Sequence, residues 1–270
     1  MINRIEIASE PKKSNLTRTE AHEKRKNNTS RKKVFSLIAM AAVFAAVFTS
    51  CEKDNDNNGP IQLLETISYG EKWYKKFEYD TKNRITQILS YYEDEIGWVE
   101  TFGYDGDDLT LYVYGNPKNS NEGGSTKILS SGGKLILTFD EEYSETYDLD
   151  AQGNISGYQD SDYSSIWEYQ NGNLIKITSV DTRYGELRTT VTTYTYDNKK
   201  SPYFHCKTSK WFFQGDGVSI QNNVLTRTRK SDDGYEDVET YEYTYDEVGF
   251  PLTSKEDGYE EITSYTYVKK

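Results

Sequence analysis

The feature of this sequence that most constrains its fold is a short aromatic motif that recurs along residues 61–270. Each copy has an aromatic residue, a polar residue and a second aromatic or apolar residue, followed by a turn that usually opens with Asp. The copies are FEYDTKNRI (77–85), FGYDGDDL (102–109), YDLDAQGNI (147–155), WEYQNGNLI (167–175), YTYDNKKSP (194–202) and YTYDEVGFPL (243–252). Asp accepts a hydrogen bond from the backbone two residues later, and Gly or Asn supplies the positive φ that closes a hairpin. Each copy therefore predicts a β-hairpin, with Asn83, Gly153, Gly172 and Gly249 as the closing residues.

Two further turns complete the series, KILSSGGKLIL (127–137) and VSIQNNVLTR (218–227). The turns then open at residues 80, 105, 130, 150, 170, 197, 221 and 246. Two strands per repeat predict about sixteen strands, and IQLLETISY (61–69) and ITSYTYV (262–268) are candidate strands at the two ends. No segment after residue 60 shows a helical period with caps. We predict an all-β, antiparallel, up-and-down meander.

Tyrosine supplies most of the apolar face of these strands. In ETYEYTYD (239–246), Tyr241, Tyr243 and Tyr245 alternate with polar residues, which is typical of a half-buried strand. The other faces are rich in Thr, Glu, Lys and Ser, and the mean hydropathy is −0.84. A membrane-spanning barrel needs an outward apolar band about 25 Å tall. We therefore expect a water-soluble, porin-like barrel or a strongly curled sheet, aromatic inside and polar outside.

The repeated motif resembles the YD repeats of the RHS family, most closely at TYDLDAQGNI (146–155). As a whole, residues 61–270 resemble a domain of unknown function that occurs in Bacteroidetes lipoproteins and has a porin-like β fold. The resemblance implies a fold and transfers no catalytic residue. Gln170 in place of Asp, and Lys200-Ser201 in place of a Gly turn, depart from the regular repeat.

The segment before the repeats has the pattern of a secretory signal. A basic cluster, RKK (31–33), precedes the apolar run VFSLIAMAAVFAAVF (34–48), which is shorter than the roughly 20 residues of a spanning helix. We expect residues 1–50 to be a signal region that is removed; a short anchor that is never cleaved is the alternative. The polar stretch 1–30 is long for a signal peptide, so translation is expected to start further downstream.

The residues that follow indicate lipid attachment. Phe48-Thr49-Ser50-Cys51 resembles a bacterial lipobox, and EKDNDNN (52–58) resembles the acidic export signal of Bacteroidetes lipoproteins. The resemblance implies that Cys51 is the lipidated N-terminus and that the protein is displayed on the outer face of the outer membrane. Residues 51–60 are then an acidic tether, and residues 61–270 form a single β domain. A solvated linker would also be acidic, so the sequence does not decide whether the protein lies on the outer or the periplasmic face of the outer membrane.

The negative charge of residues 51–270 disfavours two classes of partner. The chain has a net charge of −12, and because residues 1–50 hold 10 basic and 4 acidic residues, residues 51–270 carry 22 − 40 = −18. Nucleic-acid binding and docking on an anionic membrane by charge are both disfavoured, because each needs basic patches. With Cys51 lipidated, Cys206 has no disulfide partner, and we expect an inert buried thiol. The sequence does not predict the oligomeric state.

The sequence contains only weak evidence for a catalytic or metal site. His205 adjoins Cys206, but adjacent residues of a strand point to opposite faces, and one His makes no zinc site. DLDAQGNISGYQ (148–159) has partial calcium-ligand spacing at Asp148 and Asp150, which a capped turn also explains. Acidic loops at residues 92–97, 159–164, 231–237 and 255–261 are expected at the end opposite the repeated turns. The acidic side chains of these loops could keep the protein soluble or form a cation-binding rim. Glycoside hydrolysis by a pair of these carboxylates is the least favoured role. We predict no catalytic residue, metal or cofactor.

The aromatic excess favours a binding role. The candidate ligand-binding residues are Trp73, Trp98, Trp167, Trp211, Tyr241, Tyr243 and Tyr245. These side chains could stack on sugar rings, or they could simply form a tyrosine-rich core. The leading hypothesis is a non-enzymatic surface lipoprotein that binds a glycan or host polymer. A structural or assembly component of the envelope that engages another protein is the alternative, and a hydrolase is the least favoured.

Overall fold

Residues 60–140, 143–183, 185–215 and 217–270 are described by a computed structural model and contain sixteen strands and one short helix. The strands are β1 (Gln62–Tyr69), β2 (Trp73–Tyr79), β3 (Ile85–Tyr92), β4 (Glu95–Asp105), β5 (Asp108–Asn116), β6 (Asn119–Ser131), β7 (Lys134–Phe139), β8 (Tyr143–Leu149), β9 (Ile155–Gln159), β10 (Tyr163–Gln170), β11 (Asn173–Asp181), β12 (Arg188–Tyr196), β13 (Val224–Ser231), β14 (Glu236–Tyr245), β15 (Pro251–Glu256) and β16 (Ile262–Lys269). The helix is α1 (Lys210–Gln214). The predicted signal region and nearly all of the tether, Cys51 included, lie outside the described residues.

The strands form one closed barrel. Each strand pairs antiparallel with its neighbours in the chain, and β1 pairs with β16, for example at Ile67 opposite Tyr265. The predicted all-β, up-and-down meander of about sixteen strands is thus confirmed, and the sheet is a barrel rather than an open curl. Among the sixteen described strands, closure leaves no unpaired edge on which another chain could add a strand.

The repeated turns lie together at one end of the barrel, which we call the turn end. In the turn between β8 and β9, Asp150 Oδ1 accepts hydrogen bonds from the backbone N–H groups of Gln152 and Asn154, both at 2.9 Å. Gly153 has φ 78° and Asn83, in the turn between β2 and β3, has φ 65°. The predicted turn chemistry is confirmed. The loops between β3 and β4, β9 and β10, β13 and β14, and β15 and β16 lie at the opposite end, the open end, as expected.

Residues 197–223 correct one element of the prediction. The turns expected at residues 197 and 221 imply two strands between them, and that expectation is wrong. This segment, which we call the plug, connects β12 to β13 and contains α1. Its side chains are too apolar for a surface loop, and they bury themselves in the barrel instead. Trp211 and Phe213 are only 7% and 5% exposed.

The plug packs into the turn end of the barrel against several sides of the wall. The Phe212 ring contacts the rings of Phe102 and Tyr112, with centroids 4.9 and 5.6 Å apart. Tyr203 meets Phe77 edge-on at 6.0 Å. Further contacts reach β1, β3, β9 and β11 through hydrogen bonds of His205, Thr208, Gln214 and Ser219. The plug therefore provides the core that a wide barrel of sixteen strands would otherwise lack at this end.

The inner and outer walls differ in chemistry. Inward positions near the turn end hold buried apolar side chains such as Ile85, Leu135 and Ile155, each with no exposed surface. The outer wall carries ion pairs between neighbouring strands, namely Lys134–Asp148, Lys176–Glu168 and Lys230–Glu236. These charges belong in water, since exposing them to hydrocarbon is costly. None of the described helices is long and apolar enough to cross a membrane.

Candidate ligand-binding lumen

The tyrosines nearest the turns are structural. On five even-numbered strands, an inward tyrosine hydroxyl donates a hydrogen bond to a backbone carbonyl of the preceding strand. The pairs are Tyr79 with Leu64 (2.8 Å), Tyr104 with Ile85 (2.8 Å), Tyr196 with Leu174 (2.6 Å), Tyr243 with Val224 (3.0 Å) and Tyr267 with Pro251 (2.8 Å). Burial raises the pKa of Tyr104 to about 12, so its hydroxyl stays a donor at neutral pH. In three copies of the motif the bond comes from the second aromatic residue, namely Tyr79, Tyr104 and Tyr196, and in the copy at 243–252 it comes from the first.

Three of the candidate binding residues belong to the turn end. The hydroxyl of Tyr243 is held by Val224, and that of Tyr245 donates to Asp197 at the start of the plug. Trp211 lies in the plug and lines a cleft of about 230 Å³ with Leu109 and Leu149. These three side chains are thus engaged in packing below the lumen.

The other three tryptophans face inward: Trp73 and Trp98 lie toward the open end, and Trp167 lies three residues before the turn between β10 and β11. Trp98 has the same orientation on β4 as the buried Phe102, and its ring stacks on Tyr114 with centroids 5.9 Å apart. Trp167, on β10, donates from Nε1 to Ser165 Oγ at 3.0 Å. Trp73, at the rim, is 45% exposed and contacts Tyr92 at 4.6 Å. These partly exposed rings give the lumen an aromatic surface.

Buried carboxylates lie below these rings. Glu100 and Glu145 are each 3% exposed. Glu100 Oε2 accepts a hydrogen bond from the Tyr112 hydroxyl at 2.7 Å, and Glu145 Oε2 accepts one from Tyr147 at 2.7 Å. Lys75 Nζ lies 3.8 Å from Glu100 Oε1. Neither carboxylate was among the residues predicted from the sequence, although strand alternation places Glu100 on the same face as Phe102.

Charged side chains form a second part of the lumen wall, on β13, β14 and β15. We call this the charged wall: Arg227, Arg229, Asp237, Glu239 and Glu256. Arg227 forms an ion pair with Glu239, whose other oxygen accepts a hydrogen bond from Tyr241 at 2.8 Å. Arg229 and Asp237 are register partners. Burial, and then the nearby Glu239, raise the pKa of the Glu256 carboxyl. Tyr241 is the one of the three candidate tyrosines on β14 that faces this part of the lumen.

The strand order places the stack of Trp98 and Tyr114 across the barrel from the charged wall. In a ring of sixteen strands, β5 and β13 are eight strands apart, as are β6 and β14. The stacked rings of Trp98 and Tyr114 therefore face the side of the barrel that carries Arg227 and Glu239. A ligand in the lumen would meet ring faces on one side and hydrogen-bonding charges on the other.

The remaining candidate sites have structural roles. His205 and Cys206 lie in the plug rather than in a strand, and His205 Nδ1 is 3.0 Å from the backbone N of Gln62. Burial raises the pKa of the Cys206 thiol, which favours the unreactive protonated form. Asp148 points outward to Lys134, while Asp150 caps its own turn, so the two do not converge as calcium ligands would. In the described part of the chain, no three His, Cys, Asp or Glu side chains group as metal ligands.

The fold and the lumen together define a sixteen-stranded up-and-down barrel with a plug at one end. No family model matches the chain, and no curated protein matches it either. Among solved structures, it is similar to a porin-like protein from Bacteroides uniformis, with 14% identity and a TM-score of 0.35; the match covers 76% of this chain and 95% of that one. The resemblances to YD repeats and to a lipoprotein domain stay predictions.

Proposed function

We propose that this protein is a non-enzymatic, lipid-anchored binding protein of the bacterial outer membrane and that its lumen binds a glycan. The observation that carries the proposal is the inward-facing stack of Trp98 and Tyr114, with further inward tryptophans at Trp73 and Trp167, beside inward carboxylates and hydroxyls. Pyranose rings offer C–H faces that pack on aromatic rings and hydroxyls that donate to carboxylates. Ligand sites in general combine an apolar lining with a few convergent polar groups.

The ends of the barrel support an outward-facing lumen. Ile61 and Lys270 lie together at the turn end, where the Lys270 backbone N donates to Ile61 O at 2.9 Å. A tether joined to residue 61 and anchored through Cys51 would hold the turn end toward the membrane. The open end would then point away from it, toward ligands in the surroundings.

Glycan binding is tested by titrating the barrel, residues 60–270, with tetrasaccharides in a calorimeter. The barrel fragment suffices because β1 and β16 close the sheet within these residues. Trp98→Ala is expected to weaken binding by at least about thirtyfold, the effect of losing a central aromatic contact. Trp211→Phe, in the plug, serves as the control and should leave the affinity unchanged. Equal effects of both substitutions would place the site elsewhere.

The anchor and its orientation are tested on whole cells. Brief proteolysis of intact cells should remove the barrel, while a periplasmic protein stays intact as the control for lysis. Cys51→Ser should release the protein from the membrane fraction. A barrel protected until the outer membrane is broken would contradict display on the surface.

A second candidate function is assembly with another envelope protein. It is favoured by exposed apolar side chains on the outer wall at β5 and β6, namely Leu111, Val113 and Leu129, which are 38%, 40% and 57% exposed. Apolar surface of this kind is a common feature of interaction sites. Crosslinking in cells, with Leu129→Lys as the variant that should abolish the crosslinked species, separates this function from glycan binding.

A further inference from the structure

We infer that the lumen selects glycans that carry free amino groups, and that Glu256 of the charged wall receives the ammonium. This inference rests on the proposed function and names the class of glycan. It is drawn from the charges of the inward side chains, from the position of Glu256 and from the inward aromatic rings on other strands.

The lumen carries more negative than positive charge. The inward side chains described above include five carboxylates, Glu100, Glu145, Asp237, Glu239 and Glu256, and three cations, Lys75, Arg227 and Arg229. The cations lie beside carboxylates: Lys75 beside Glu100, Arg227 beside Glu239, and Arg229 in register with Asp237. Asp181 and Arg188, register partners on the same face of β11 and β12, add one charge of each sign. Carboxylates therefore outnumber cations by two among the named inward side chains, which favours a cationic ligand.

The surroundings of Glu256 are such that a cation beside it would stabilise its ionised carboxylate. It lies on β15 opposite Tyr241, and the acidic groups that act on it are Glu239 and Asp237 of the next strand. Arg227 is the cation among these neighbours, and its guanidinium is already paired with Glu239. Burial and like charge both disfavour the ionised form of Glu256. An ammonium group beside it would relieve both effects.

The aromatic surface suits the same ligand. Ammonium groups are attracted to the faces of Trp and Tyr rings, and the lumen presents Trp98, Tyr114 and Trp167. The faces of these rings also pack on the sugar carbons. Acidic glycans, such as chains of uronic acids, would bring like charge into a lumen that is already negative, and we expect the lumen to reject them.

The test compares three tetrasaccharides on the barrel: β1,4-linked glucosamine, its fully N-acetylated form, and galacturonate. The first two differ only in the charge and acetylation of the amino group. At pH 6, the glucosamine tetramer is expected to bind about tenfold or more tightly than the N-acetylated tetramer, as for one charged hydrogen bond. Galacturonate should not bind.

Two matched variants distinguish binding of the ammonium at Glu256 from general attraction of a cation to a negatively charged protein. Glu256→Gln removes one carboxylate from the lumen, and Glu242→Gln removes one from the outer face of β14, where the side chain is exposed. We expect Glu256→Gln to abolish the preference for the amino form and Glu242→Gln to leave it intact. Circular dichroism confirms that each variant is folded.

The outcomes distinguish the two proposals. If the N-acetylated tetramer binds as tightly as the amino form, or if Glu256→Gln and Glu242→Gln act equally, the inference is wrong while glycan binding stands. If none of the three tetramers binds and a wider glycan panel is also silent, the proposed function fails, and the inference fails with it.

Discussion

At the scale of single residues, the repeated motif stabilises the barrel through two kinds of hydrogen bond. In the turns that open at residues 80, 150, 197 and 246, Asp accepts hydrogen bonds from backbone N–H groups, and on five strands a nearby tyrosine hydroxyl donates to a carbonyl of the preceding strand. The sequence predicts the first bond, because Asp and its Gly or Asn partner are local. It does not predict the second, because the carbonyl that accepts it lies on another strand, such as Leu174 for Tyr196.

Removing one of these hydroxyls should cost stability. Tyr196→Phe deprives the Leu174 carbonyl of its donor, and we expect a loss of about 1 kcal/mol in the free energy of unfolding. Tyr169 provides the control, since its buried hydroxyl has no hydrogen-bond partner in the structure. Tyr169→Phe should therefore be neutral or slightly stabilising. Urea denaturation measures both, and equal losses would contradict the role given to the hydroxyl of Tyr196.

Asp80 should make stability depend on pH in the acid range. Burial by itself would raise its pKa, but hydrogen bonds from the N–H groups of Arg84 and Lys82 and from the Arg84 guanidinium lower the pKa overall. A carboxyl with a lowered folded-state pKa stabilises the fold above its unfolded pKa of about 3.9, and that contribution is lost as pH falls through the folded value.

We therefore expect Asp80→Asn to be less stable than the wild type at pH 7, with a difference that shrinks once the pH is below about 4. Urea midpoints measured at pH 7, 4 and 2.5 give the comparison. Asp105→Asn, in the next turn, controls for the loss of one surface charge. A difference that is constant over this range would show that the Asp80 carboxylate does not contribute through its ionised form.

At the scale of elements, the strands could be predicted and the plug could not. Period-two alternation and turn residues locate β1 and β16, and all the hairpins except the one expected between residues 197 and 221. The plug has neither period, and its partners are distant in sequence: Thr208 bonds to Ile85, and Gln214 to Ile155. Only the closed barrel brings these residues together. The five-residue α1 is too short to show a helical pattern.

The plug should contribute stability through Gln214. Its Oε1 accepts from the Ile155 backbone N at 3.0 Å and its Nε2 donates to Asn154 Oδ1 at 2.8 Å. Gln214→Met keeps the length of the side chain but leaves a buried N–H unpaired, and should cost about 1–3 kcal/mol. Gln152→Met, in the exposed turn nearby, should change the free energy of unfolding by less than about 0.5 kcal/mol. Similar costs for both would mean that the plug is not held by this contact.

At the scale of the whole molecule, the barrel combines a packed turn end with a lumen lined differently on two sides. Alternation in the sequence could place Trp98, Glu100 and Phe102 on one face of β4. That β5 and β13 lie on opposite sides of the barrel follows only from its closure with sixteen strands. For that reason the sequence grouped Trp211, Tyr243 and Tyr245 with the lumen tryptophans, whereas the structure places these three at the turn end.

The central claim is that the ligand enters the lumen beside Trp98, and one measurement tests it most directly. A barrel with Trp73, Trp167 and Trp211 replaced by Phe keeps Trp98 as its single tryptophan. Acrylamide quenching of its fluorescence is measured with and without saturating glucosamine tetramer, and with the N-acetylated tetramer in parallel. We expect the bound tetramer to shield Trp98 from acrylamide and so to lower the quenching constant. Unchanged quenching at a ligand concentration that saturates binding by calorimetry would contradict it and place the site outside the lumen.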